Sequence, residues 1–210
     1  MKLLRLLPAV LASLVLVCPV ARAEAPKDFA EARDRAKPLD GLTAFLDRYI
    51  GNCDDPFEKS TCQGNVKKAR GEMDGKSYYL ILDDGASKML RPGGYNPNTQ
   101  EFRFDLTPFF DGGGRALTHG APNGQDAEGR VRLPIIPLFA KLPLDWMPMD
   151  MERLLRTGNV KLQIIFKPQG VWMLKGKDGR TTQEGVKAKF LGVRLTHARN
   201  GTDLAYKMNP

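Results

Sequence analysis

Apolar positions along this chain follow a helical period before about residue 75 and a strand period after it. Leu39, Leu42, Phe45, Leu46, Tyr49 and Ile50 recur three and four apart, which predicts an amphipathic helix, with Gly51 just past its end to take a left-handed cap. Asp55-Pro56-Phe57-Glu58 predicts the start of a second helix: a side-chain acceptor at the N-cap, proline in the first turn and glutamate at the third position. That helix runs to about Met73, with Gly75 ending it and Gly64 and Gly71 weakening it. Ahead of both, the alanine-rich stretch 24–38 has Phe29, Ala32, Ala36 and Leu39 along one side and is expected to be loose or partly helical.

From Ser77 the texture is that of strands and turns. Tyr78–Leu82 is a continuous apolar run closed by Asp83-Asp84-Gly85, and Gly93–Asn98 reads as a turn cluster. Between Glu101 and Leu106, Phe102, Phe104 and Leu106 alternate with Glu101, Arg103 and Asp105, the pattern of a half-buried strand. Residues 111–129 are glycine-rich and read as a long irregular loop. Further strands are expected at 130–136, stopped by Pro134 and Pro137, and at 160–166, 171–174 and 186–195, with Gly192 marking a bulge. Asp150 is expected to cap a short helix through Met151, Leu154 and Leu155, and residues 175–180 to form a flexible hairpin. Asn200-Gly201 is the strongest hairpin turn and leads into strand 203–206. No repeat of 20–50 residues is present. The fold class is therefore α+β, one domain over 39–210: two short N-terminal helices (39–75), then a mainly antiparallel sheet (76–210).

The first 23 residues change the setting. Met1-Lys2-Leu3-Leu4-Arg5 is a basic start, Leu6 to Val17 an apolar core, and Ala21-Arg22-Ala23 a small-x-small site, together the pattern of a secretory leader cleaved before Glu24. The protein is expected to be exported, periplasmic or secreted, and no later segment is apolar for long enough to span a bilayer. A lipid-bearing alternative at Cys18 needs a small residue before it, where the chain has Val17. Removing the leader takes away three basic residues and no acid, so a formal +8 becomes +5. Bases and acids are interleaved, which reads as a solvated surface that leaves room for an anionic envelope partner. Export argues against nucleic acid. Cys53 and Cys62 then form an even pair expected to be a disulfide joining the two helices, a short loop contributing about 2–3 kcal/mol.

Candidate chemistry is sparse. The histidines are His119, in the glycine-rich loop, and His197, after a strand. A His119 base with Asp111 or Asp126 would give a hydrolase-like enzyme, but Ser60, Ser77 and Ser87, the serines after the leader, lie in no G-x-S-x-G elbow. Asp83-Asp84-Gly85 lacks the later ligands of a calcium loop, and Gly112-Gly113-Gly114-Arg115 lacks the following helix of a phosphate loop. Met147, Met149 and Met151 place three soft thioethers at alternate positions beside Trp146, a Cu(I) pattern whose plainer reading is gap filling at a helix entrance. His119, Phe109, Phe110 and Trp172 make the candidate ligand-binding cluster; the same aromatics also suit a core. No cofactor is implied.

Several pieces resemble an uncharacterised family (a domain of unknown function) of secreted, myxobacterial-type proteins. They are Asn52-Cys53 with Cys62, Thr107-Pro108-Phe109-Phe110, Leu117-Thr118-His119-Gly120-Ala121-Pro122, Phe166-Lys167-Pro168-Gln169-Gly170-Val171-Trp172 and Gly185-Val186-Lys187-Ala188. The resemblance implies export and one β-rich domain, and it carries no activity. The expected role is a non-enzymatic binding or scaffold domain whose partner is an envelope component or a protein.

Overall fold

A computed structural model describes residues 24–51, 53, 57–82, 89–107, 109–110, 115–123, 132–143, 145–175 and 181–210. The leader with Cys18, Asp55-Pro56, the 83–85 turn, Asp111 to Gly114, Asp126, the hairpin 176–180 and the side chains of Phe109 and Phe110 lie outside the described residues. The elements are α1 (Lys27–Asp34), β1 (Lys37–Pro38), α2 (Leu42–Ile50), α3 (Lys59–Met73), β2 (Tyr78–Leu82), β3 (Leu90–Asn96), β4 (Glu101–Leu106), β5 (Phe109–Phe110), β6 (Arg115–His119), β7 (Ile136–Lys141), α4 (Pro148–Arg156), β8 (Val160–Lys175), β9 (Thr181–His197) and β10 (Asp203–Met208). The fold is α+β, with mostly antiparallel sheets.

The long antiparallel pair β8 and β9 is the spine. The larger sheet runs β1-β2-β8-β9-β6-β5, and β10 joins β9 beyond the end of β6. β6 runs parallel to β9 over Arg115–His119, while β10 runs antiparallel over Asp203–Met208. A second antiparallel sheet has the order β3-β4-β7. The predicted bulge is present: the register slips where Ile165 pairs Gly192 and Phe166 pairs Phe190, so Leu191 is the extra residue. Gly201, at φ 72°, makes the turn into β10.

One face of the large sheet carries the main core. Tyr78, Leu80, Leu162, Ile164, Phe166, Val193 and Leu195 pack with the apolar sides of α2 and α4 and with Phe102, Phe104 and Leu138 of the small sheet. Each such side chain, fully buried, contributes about 1.5–3 kcal/mol. Phe45 of α2 meets Tyr78 and Phe166 edge-on at 5.2 Å each. On the opposite face α1 seats Phe29 against Ile165. Gly192 lies under that ring, since a Cβ there would stand 3.1 Å from Phe29 Cδ2. α3 is tied to α2 by Tyr49: its hydroxyl donates to Asp74 Oδ1 (2.5 Å), and Arg70 Nε donates to its carbonyl (3.2 Å). Cys53 and Cys62 are bonded across the same junction.

Several expectations are corrected. The stretch 24–38, expected to be loose or partly helical, contains α1 and adds the two-residue strand β1. α3 is described from Lys59, with Cys62 N–H donating to Glu58 O, and the start predicted for it at Asp55-Pro56 lies outside the described residues. Gly93 and Gly94 belong to β3 and not to a turn; the register slips there, and a Cβ on Gly93 would stand 2.7 Å from Arg103 Cγ, so the absent side chain makes room for the arginine stem. Within the predicted loop 111–129, residues 115–119 are strand β6, because Ala116, Leu117 and Thr118 are all buried against β9. The strand expected at 130–136 is β7 at 136–141, and Pro137 is tolerated on this edge strand. Asp150 caps α4 from its third position, accepting Met147 N–H (2.9 Å), with Pro148 at the first. The segments 160–166 and 171–174 are one strand, β8.

Candidate functional site

At one end of the spine Val160 opens β8 opposite His197, which closes β9. α4 and the turn before it cover that end and leave a cavity of about 430 Å³ lined by Trp146, Arg153, His197 and Arg199. The amphipathic pattern of α4 explains its position. Met151, Leu154 and Leu155 are buried in the core, so Asp150 and Arg153 are left facing the opening.

Backbone bonds fix the polar lining. Arg199 N–H donates to His197 Nδ1 (3.1 Å), which leaves the imidazole proton on Nε2. Burial, helped by the Arg199 charge, holds the His197 pKa below its usual 6.5, so near neutral pH the ring is an uncharged Nε2–H donor. Thr157 Oγ1 donates to Arg153 O (2.9 Å) and accepts Asn159 Nδ2–H (2.8 Å). Ala198 N–H donates to Asn159 O (2.9 Å), which ties the turn after β9 to the loop after α4. Asp150 lies 3.6 Å from Arg153, and Asp145 adds a second carboxylate to the wall. Two carboxylates thus face two guanidiniums, with a neutral histidine, an amide and an indole between them. Such a lining donates and accepts in similar measure. An isolated anion would meet Asp145 and Asp150, and an isolated cation would meet Arg153 and Arg199.

The sequence-derived candidates fall elsewhere. His119 ends β6, where its Nδ1 accepts Phe190 N–H (3.2 Å) and its ring stands edge-on to Phe190 at 5.4 Å. Burial first, then Lys189 and Lys207, lower its pKa. Trp172 lies on the other face of the sheet. Its Nε1–H donates to Thr118 Oγ1 (3.0 Å), and a Cβ on Gly185 would stand 2.6 Å from its Cε2. Phe109 and Phe110 pair through their backbones with Leu117 and Ala116. The structure therefore brings Trp172 to β6 and separates it from His119, because neighbouring strand residues point to opposite faces. Met147, Met149 and Met151 are divided between surface and core, 65%, 57% and 0% exposed. Among the described residues, no group of three or more His, Cys, Asp or Glu is placed to hold a metal ion.

Sequence reading missed this cavity although Asp145, Trp146, Asp150 and Arg153 lie within nine residues. The signal it lacked was the pairing of β8 with β9, which carries His197 and Arg199 from over forty residues away to Val160. Among the described residues, no helix is long and apolar enough to cross a membrane. A family-model comparison matches residues 3–209 to a family of unknown function (DUF6066). Searches of curated proteins and of solved structures found no match to the chain.

Proposed function

The chain belongs to this family of unknown function, and from its own residues we propose that it is an exported, non-enzymatic envelope-binding domain that holds a saccharide in the cavity between α4 and the end of β9. The charge-balanced lining carries this reading. A sugar ring offers C–H faces that pack on an indole and hydroxyls that both donate and accept. Trp146 supplies the ring, His197 Nε2–H and the guanidiniums supply donors, and the carboxylates and Asn159 supply acceptors. The volume falls within the ~300–1,000 Å³ of small-molecule sites. Export is supported by the leader pattern of residues 1–23 and by the bonded Cys53–Cys62 pair, which suits an oxidising compartment.

The test is a glycan array probed with the labelled protein, followed by calorimetry on the retained class. Retention of one saccharide class, weakened at least tenfold in both Trp146→Ala and Arg199→Ala with an unchanged far-ultraviolet spectrum, is the expected result. Retention of nothing, or retention equal in Arg199→Ala, would remove the reading.

A further inference from the structure

The face of the large sheet that carries α1 also holds a row of lysines with no acidic partner among the described residues. Lys167 on β8 stands directly opposite Lys189 on β9, and Lys187 follows two residues along, opposite Gly170. All three point to the same side. A Cβ on Gly170 would meet Lys187 Cε at 3.1 Å, and Gly185, two residues before Lys187, lies under Trp172 on that same face. None of the three makes an ion pair among the described residues.

This arrangement opposes the interests of the fold. Like charges directly across a ladder destabilise it. Lysine on an exposed edge protects against unwanted pairing, which accounts for Lys167, on the part of β8 beyond β2. Lys187 and Lys189 lie on β9, flanked by β8 on one side and by β6 or the β6–β10 junction on the other, so edge protection does not explain them. The small sheet shows the ordinary solution. There Arg91 stands opposite Asp105, Glu101 opposite Lys141, and Arg103 pairs with Asp105 at 2.7 Å.

We infer that the lysine row of Lys167, Lys187 and Lys189 is a docking strip for a linear polyanion, specifically a carboxylate-bearing polysaccharide strand laid across β8 and β9. Charge selects an anion. Shape selects a strand over a bilayer: α1, seated on this face through Phe29, stands beside the row, so a flat membrane would meet the helix before it met the lysines. The strip lies on the opposite face from the α4 cavity, so it stands or falls independently of the saccharide proposed there.

The experiment is calorimetry of the whole processed protein with polygalacturonate, with neutral dextran and phosphatidylglycerol vesicles as the other probes. Wild-type protein should bind polygalacturonate, lose roughly tenfold in affinity between about 50 and about 200 mM salt, and ignore dextran. The Lys167→Gln/Lys187→Gln/Lys189→Gln variant should lose at least tenfold in affinity while melting no lower than wild type, since it relieves the repulsion. Lys189→Glu, which sets a carboxylate opposite Lys167, should melt higher and bind more weakly than wild type. Equal binding by the triple variant, a lowered melting point in both variants, or binding to vesicles in preference to the polymer would overturn the assignment.

Discussion

His119 completes a hydrogen-bond ladder, and replacing it exposes the cost of leaving the ladder open. The outer edge of β9 has two partners laid end to end. β6 stops where His119 pairs with Ala188, and the β10 pairing reaches only to Met208 opposite Gly192. Phe190 N–H falls in the gap, is buried with its residue at 3% exposure, and is satisfied by His119 Nδ1 at 3.2 Å. His119→Phe keeps a ring against Phe190 and removes the acceptor, so it should cost the price of a buried unsatisfied donor, about 1–3 kcal/mol. His119→Ala also gives up the edge-on ring contact, for a further ~0.5–1.5 kcal/mol. In a chain of this size each kcal/mol lowers Tm by roughly 2–4 °C.

The same bond sets a pH dependence. Nδ1 accepts only while the ring is neutral, and burial with Lys189 and Lys207 lowers the folded-state pKa below 6.5. As pH falls the unfolded chain binds the proton first, so the contribution is complete above about pH 6.5 and is lost as pH falls through the folded-state pKa. Urea unfolding followed by circular dichroism from pH 7.5 to 5 should show wild-type stability falling with acidity. The slope should be shallower in His119→Phe, with His197 supplying the remainder in the same direction. A His119→Phe protein within about 0.5 kcal/mol of wild type at pH 7.5, the range of an ordinary surface change, with an unaltered slope, would refute the reasoning.

Other substitutions report on other joints. Gly185→Ala would drive a methyl into the Trp172 indole and to 2.5 Å from Ala116 O, and should destabilise by at least ~2 kcal/mol in the same unfolding assay. Tyr49→Phe leaves Asp74 without its phenolic donor and should cost about 1 kcal/mol; in the wild type, burial and then Asp74 push the Tyr49 pKa up, so absorbance titration should show this phenol ionising after the exposed tyrosines. Reducing the Cys53–Cys62 bond should lower stability by about 2–3 kcal/mol, with dithiothreitol having no effect on a Cys53→Ser/Cys62→Ser variant.

What was legible in the chain follows from where the period is strict. Phe102, Phe104 and Leu106 alternate cleanly because β4 has a core on one side and water on the other, and Leu42 to Ile50 repeat as a helix because α2 buries one stripe. The glycines misled for a definite reason. Gly93 lies in a strand under the Arg103 stem and Gly185 in a strand under Trp172, so there the absent side chains mark close approach and not turns, while Gly94 takes a φ of 97° where the register slips. β6 was hidden by the glycines that flank Arg115 to His119, and its parallel place beside β9 has no local signature. The α4 cavity was illegible because its two halves meet only through the Val160–His197 register.

The central claim is that the cavity lined by Trp146, His197 and Arg199 holds a saccharide outside the cytoplasm. Native mass spectrometry of the protein drawn gently from its own envelope fraction tests it most directly. The account predicts a chain beginning at Glu24 that carries an added mass of hexose-type units, absent from the Arg199→Ala protein prepared in the same way. A bare wild-type chain, or the same added mass on Arg199→Ala, would contradict it.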